Sequence, residues 1–396
     1  MQAGRAPGAF DVGLSGPANA PSERSLRLRA YAHADPDNLA LVCALIDELL
    51  ATQRSQDALA VIDRLHATLK QQPEVCLREA RAFMAERTFE RALACLRSLL
   101  QQGLDTPAIR HDLAFVQLCM GDGDGALRTL APALALDAPP IECEVLRARI
   151  LQARGEGTRA LEVLARPDLE QSPTVLGLRA LLLLDTGDLE GARMFATACL
   201  EQQSDQMDAS LVEGTLALWA GDLTTADQAF ARVLKAAPDT GRALSGRGQI
   251  QWLQGDLSGA RGTLEAAVTA MPGHIGTWHA LAWACLLEGD VSGASAAFES
   301  AYALDRTFGE THGGLALIHV LRHQPAEAEQ AIRRAQKLDP TSRNARYARS
   351  LLWLERGQPE AAAQEVECIL EHAALPPGVS TAAFLKQLQR QIQRTG

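Results

Sequence analysis

Apolar helical stretches follow one another along the chain, each closed by the same short polar punctuation. Leu218-Trp219-Ala220 runs into Gly221-Asp222-Leu223, with Ala226 after it. The figure returns at one fixed interval, as Gly187-Asp188-Leu189 with Ala192, Gly255-Asp256-Leu257 with Ala260, and Gly289-Asp290-Val291 with Ala294. Glycine can take the left-handed conformation that ends a helix. The Asp after it accepts hydrogen bonds from the free N–H groups opening the next helix and suits the positive end of its dipole. The alanine falls on the inner face of that second helix, where a small side chain lets two antiparallel helices come close.

Followed through the chain, this alanine recurs as Ala58, Ala92, Ala126, Ala160, Ala192, Ala226, Ala260, Ala294, Ala328 and Ala362. Every interval is 34 except the 32 between Ala160 and Ala192. An alanine-rich composition does not by itself give ten hits in register, and self-similarity at this period marks a helix-turn-helix solenoid. Some turns depart from the pattern. Gln53-Arg54-Ser55 and Arg87-Thr88-Phe89 stand in place of Gly-Asp, and His323 replaces a turn glycine. Pro167 falls inside the second helix of the fourth unit, so a shortened helix and a changed local path are expected near 166 to 172.

With each unit counted so that its turn glycine stands at place 15, further places agree from unit to unit. Place 8 is small at Ala80, Ala114, Ala148, Ala180, Gly214, Gly248, Ala282, Ala316 and Ser350, with Ile46 the exception. Place 24 is large and apolar at Ile62, Leu96, Phe230, Leu264, Phe298 and Ile332, and place 32 is proline at Pro238, Pro272 and Pro340. In these places residues 39 to 376 resemble the tetratricopeptide repeats. The resemblance implies an all-α, right-handed superhelical solenoid of ten antiparallel helix pairs, with a concave groove lined by places 2, 5, 9, 12 and 13 of each first helix.

Composition narrows the classes. A formal charge of -10 argues against a general nucleic-acid binder, which needs a basic footprint, and against tight binding to an anionic membrane. No run of apolar residues is long enough to span a bilayer, so no membrane insertion is expected, and residues 1 to 20 do not read as a secretory signal. Cys43, Cys76, Cys95, Cys119, Cys143, Cys199, Cys285 and Cys368 are scattered without metal-type pair spacing. They read as buried thiols of a reducing compartment, hence a cytoplasmic protein. Few Lys and Asn beside abundant Ala, Leu and Arg suggest a high-GC bacterial source.

Outside the array, residues 1–21 are expected to be disordered. Residues 22–38 are expected to form an N-terminal capping helix and turn, and 377–396 a C-terminal capping helix from Thr381 with Phe384, Leu385, Leu388 and Ile392 as its stripe.

Catalytic signatures are absent: no G-x-x-x-x-G-K-[ST], H-E-x-x-H, G-x-S-x-G or Cys-x-x-Cys. The run from Gly121 to Gly125 lacks the downstream ligands of a calcium loop and stands at a turn place. His274, His279, Glu310 and His312 come from different helices with no spacing that supports a metal. No cofactor and no enzymatic activity are expected. By the resemblance, Trp278 and Trp353 fall at core places. Trp219, Trp252 and Trp283 fall at groove places, where exposed aromatics anchor recognition, or else fill gaps between neighbouring first helices. Arg242, Ser245, Gln249, His279 and Glu310 share the groove places. The set implies a non-catalytic scaffold or adaptor gripping a peptide or partner segment, of the sort that serves bacterial secretion, envelope-assembly or regulatory complexes. The Lys and Asn residues of a chaperone-carboxylate clamp are missing from its places. The alternatives are a self-assembling homo-oligomer or a regulatory subunit of a separate enzyme.

Overall fold

The computed structural model describes residues 23–370, apart from Pro167 and Glu170. Among these residues every regular element is a helix and no strand occurs, as expected for an all-α array of helix pairs. The segment 1–21, the helix expected from Thr381 and Pro167 itself lie outside the described residues. The chain divides into two compact units. Unit 1 holds the described residues up to Ala217 with Gln228–Thr240, and unit 2 holds Leu218–Asp227 with those from Gly241 onward.

Unit 1 begins with the helix Glu23–Ala34, packed on Leu39–Ala51. Five hairpins follow: Leu39–Ala51 with Ser55–Asp63, Pro73–Ala85 with Phe89–Gln101, Pro107–Cys119 with Gly123–Leu134, Ile141–Ala153 with Gly157–Leu164, and Pro173–Thr186 with Leu189–Gln202. In the first four, the second helix also packs on the first helix of the next pair, so the core grows by nearest-neighbour burial. Two hairpins deviate. In the first, the second helix stops at Asp63 and the short helix Ala67–Lys70 follows, with Lys70 Nζ donating to the freed Asp63 carbonyl at 2.8 Å. In the fourth, the second helix has 8 residues, against 12 and 14 in its neighbours. That is the shortening expected of Pro167, whose ring cannot continue a helix.

Unit 2 contains four hairpins: Gly241–Leu253 with Leu257–Ala270, Ile275–Glu288 with Val291–Leu304, Gly309–Leu321 with Pro325–Leu338, and Arg343–Glu355 with Pro359–Leu370. Its largest buried cluster gathers Leu264, Leu281, Cys285, Ala294, Phe298 and Ile318, with Trp278 packed against it. Trp278 Nε1 also donates to the Pro272 carbonyl at 2.8 Å, the packing role expected at its core place.

The punctuation works as its chemistry requires. Gly187, Gly221, Gly255 and Gly289 all have φ between 81° and 88°. The carboxylates of Asp188, Asp222, Asp256 and Asp290 accept from the amides of Gly191, Thr225, Gly259 and Gly293 at 2.8–3.1 Å. Where glycine is missing the turn keeps its shape: Gln53, Arg87 and His323 take φ of 55° to 58°, a conformation costly for any residue with a Cβ. All ten register alanines are 0% exposed. Removing one cap, by Asp256→Ala, is expected to lower stability by about 1 kcal/mol. Urea denaturation followed by circular dichroism measures it, and an unchanged midpoint refutes the capping role.

Candidate partner-binding site

The eight residues assigned to the groove all fall in unit 2, but the structure sorts them into two sets. Trp219, the last residue of its helix, is 58% exposed. Arg242 is exposed at the second position of Gly241–Leu253. On that helix Trp252 is half-buried, and Gln249 Nε2 donates to the Ser245 carbonyl at 3.3 Å and to its Oγ at 3.4 Å. Ser245 is buried. In this first set the exposed surface belongs to Trp219, Arg242 and part of Trp252.

The second set is occupied internally. Trp283 lies edge-on to Tyr347, with ring centroids 5.4 Å apart, and packs on the cluster holding Leu317, Val320 and Leu351. It fills the space between first helices, the packing alternative open to such a tryptophan. His279 Nε2 pairs with Thr311 Oγ1 at 2.8 Å, and its ring meets Phe298 and Phe308 edge-on at 5.3 and 5.6 Å. Burial lowers its pKa to about 4, because the charged imidazolium loses hydration that nothing there replaces. Glu310 spends its carboxylate on the next repeat: Oε1 accepts from the Arg343 amide at 2.7 Å, and Oε2 from the Asn344 amide at 3.0 Å and Ser342 Oγ at 3.1 Å. An acid at that helix N-terminus satisfies free N–H groups and its dipole.

His274 and His312 also have local partners. His274 Nδ1 caps its helix at Thr277, and His312 Nε2 meets the Arg306 carbonyl at 2.9 Å. No group of three or more His, Cys, Asp or Glu among the described residues is arranged to hold a metal.

One exposed residue escapes a reading that looks for tryptophan. Leu253 is 51% exposed and ends Gly241–Leu253 as Trp219 ends the first helix of the repeat before it. The signal for it was the register itself, since both residues stand at place 13.

An array of this kind is a helical-repeat scaffold, a class that generally serves protein interaction. A family model described as tetratricopeptide repeat matches residues 211–275 and 314–373. The human tetratricopeptide repeat protein 34 (Homo sapiens) is 28% identical over 249 residues, 55% of this chain and 44% of that protein. Mouse tetratricopeptide repeat protein 36 (Mus musculus) is 38% identical over 89 residues, 22% of this chain and 45% of that protein. The chain thus spans less than half the length of these curated relatives. Among solved structures, the APC/C hetero-tetramer Cut9-Hcn1 aligns with a TM-score of 0.44 at 14% identity, over 93% of this chain and 86% of that one. The human IFIT1 dimer with PPP-AAAA aligns with a TM-score of 0.48 at 13% identity, over 90% and 96%. No described helix is long and apolar enough to cross a membrane.

Proposed function

We propose that the protein is a non-catalytic interaction scaffold whose unit 2 holds a peptide or partner segment against the C-terminal ends of successive first helices. The observation carrying this reading is the pair Trp219 and Leu253, 58% and 51% exposed at equivalent register places. Two large apolar side chains left in water at one repeated place cost hydration free energy that a bound partner recovers. Trp252, Gln249 and Arg242 supply the neighbouring contacts. Trp283, His279 and Glu310 shape the helices beneath it, and contribute to binding only through that support.

A random-peptide selection on the full chain, followed by affinity measurement on Trp219→Ala and Leu253→Ala, tests this. Loss of a buried aromatic anchor costs about 2 kcal/mol or more at a hot spot, so at least about a tenfold weakening is expected for Trp219→Ala. Selected peptides that bind both variants as they bind the parent chain would sink the assignment. Sedimentation of the free chain supplies the rival outcome, in which those side chains are buried between copies and no peptide is selected.

A further inference from the structure

Along the edge of unit 2 where the hairpins turn, one short pattern repeats. Trp219, Leu253 and Leu287 each stand three residues before a capping aspartate, Asp222, Asp256 and Asp290. Trp219 and Leu253 are exposed, and Leu287 is half-buried. Asp222 and Asp256 are exposed as well, and their bonds go to Thr225 and to the Gly259 amide rather than to an arginine or lysine. Each apolar side chain left in water therefore has an unpaired carboxylate beside it in the same turn.

The charge here is one-sided even when every ion-pair partner is counted. The charged residues of unit 2 as far as Ser295 are six carboxylates and three arginines. Arg247 pairs with Asp227. Arg261 is shared by Glu265, Glu288 and Asp290. Arg242 is the second residue of the helix that Leu253 ends. It stands roughly 16 Å down the axis, beyond the Debye length of about 8 Å at physiological salt. The edge thus keeps four negative charges, from Asp222, Asp256 and two of the three carboxylates around Arg261. Helix dipoles do not alter the count, because negative ends of first helices and positive ends of second helices meet there and cancel. Hydrogen bonds from Thr225 and from the Gly293 amide hold the Asp222 and Asp290 carboxyls below the usual range, so both are ionised at neutral pH.

We propose that the segment docked on Trp219 and Leu253 is cationic, a partner-protein peptide that sets apolar side chains on these two residues and Lys or Arg against Asp222, Asp256 and Glu288. This rests on the partner-binding reading of unit 2 and adds the chemistry of the partner. An anionic segment, a phosphopeptide included, meets four like charges as it docks. A neutral apolar segment covers the two side chains but strips water from carboxylates without replacing it. A second copy of this chain, docked edge to edge, brings the same carboxylates and is repelled.

The test is fluorescence anisotropy of the full chain with three labelled octapeptides. They share their Trp and Leu positions and carry Lys, Gln or Glu at the positions between. At low salt the Lys peptide is expected to bind at least about tenfold more tightly than the Gln peptide, and the Glu peptide most weakly. The preference should fade near about 1 M salt, where the Debye length is about 3 Å. Asp256→Asn keeps a side-chain oxygen for the cap; combined with Glu288→Gln it should weaken the Lys peptide by about threefold or more and leave the Gln peptide unchanged. Trp219→Ala should weaken both peptides alike. Equal affinity for the Lys and Gln peptides, both lowered by Trp219→Ala, overturns the cationic assignment and leaves the partner-binding reading standing. So does a Lys peptide indifferent to the loss of Asp256 and Glu288 charge, or one that shows no saturable binding. Binding that ignores both Trp219→Ala and Leu253→Ala removes the reading beneath it as well.

Discussion

Replacing Phe298 with alanine is expected to destabilise unit 2 by about 3 to 5 kcal/mol, the range for deleting a fully buried aromatic ring. Phe298 is 0% exposed within the cluster that includes Leu264, Ala294 and Ile318. It lies so close to the next first helix that a Cβ on Gly314 would stand 2.3 Å from its ring. Rigid backbone on that side keeps the cavity from collapsing. The same variant carries an electrostatic signature, because Phe298 forms one wall around His279 at 5.3 Å. In the parent chain the folded-state pKa of His279, about 4, lies below the ordinary 6.5. The stability that neutral His279 contributes is thus fully present above pH 6.5 and is lost as pH falls from there toward 4. With the wall removed, His279 should titrate closer to 6.5 and that acid-side loss should shrink. Urea unfolding at several pH values with an NMR titration of His279 reads both effects. A histidine still titrating near 4 with an unmoved unfolding midpoint would reject the packing argument.

The second large effect comes from adding volume. Ala260→Leu is expected to cost about 1 to 3 kcal/mol by overpacking, whereas Ala266→Leu, on the exposed face of the same helix, should be close to neutral. Ala260 is 0% exposed, and its carbonyl oxygen stands 3.3 Å from where a Cβ on Gly248 would lie. The two helices of this hairpin therefore meet nearly backbone to backbone, and a leucine has nowhere to go. Thermal melts of the two variants decide it. Equal melting temperatures for both would mean that the alanine register does not mark the inner face.

Much of this was legible in the chain before any coordinates, and the reason is local. A left-handed residue, an Asp cap and a small inner alanine are each demanded by the geometry of one hairpin, so they print themselves into the sequence once per repeat. The shortened helix before Pro167 was readable for the same reason. Exposure at the first-helix places was harder, because it depends on bulk contributed by other repeats. Trp219 and Trp283 stand at places 13 and 9 of similar helices, yet Tyr347, two repeats on, meets the second and not the first. His279 loses its surface to Phe298 and Phe308 in the same way, and Glu310 is claimed by amides 33 and 34 residues later.

Linear arrays ordinarily fray from their ends, since a terminal repeat has a neighbour on one side only. The carboxylate of Glu310, bonded to the amides of Arg343 and Asn344, spans the seam before the hairpin Arg343–Glu355 with Pro359–Leu370. Opening that hairpin at its root strands an acid and two amide donors at once. The hairpins on either side of the seam are therefore expected to open as one cooperative block, so that hydrogen exchange in the later one should report the opening of both.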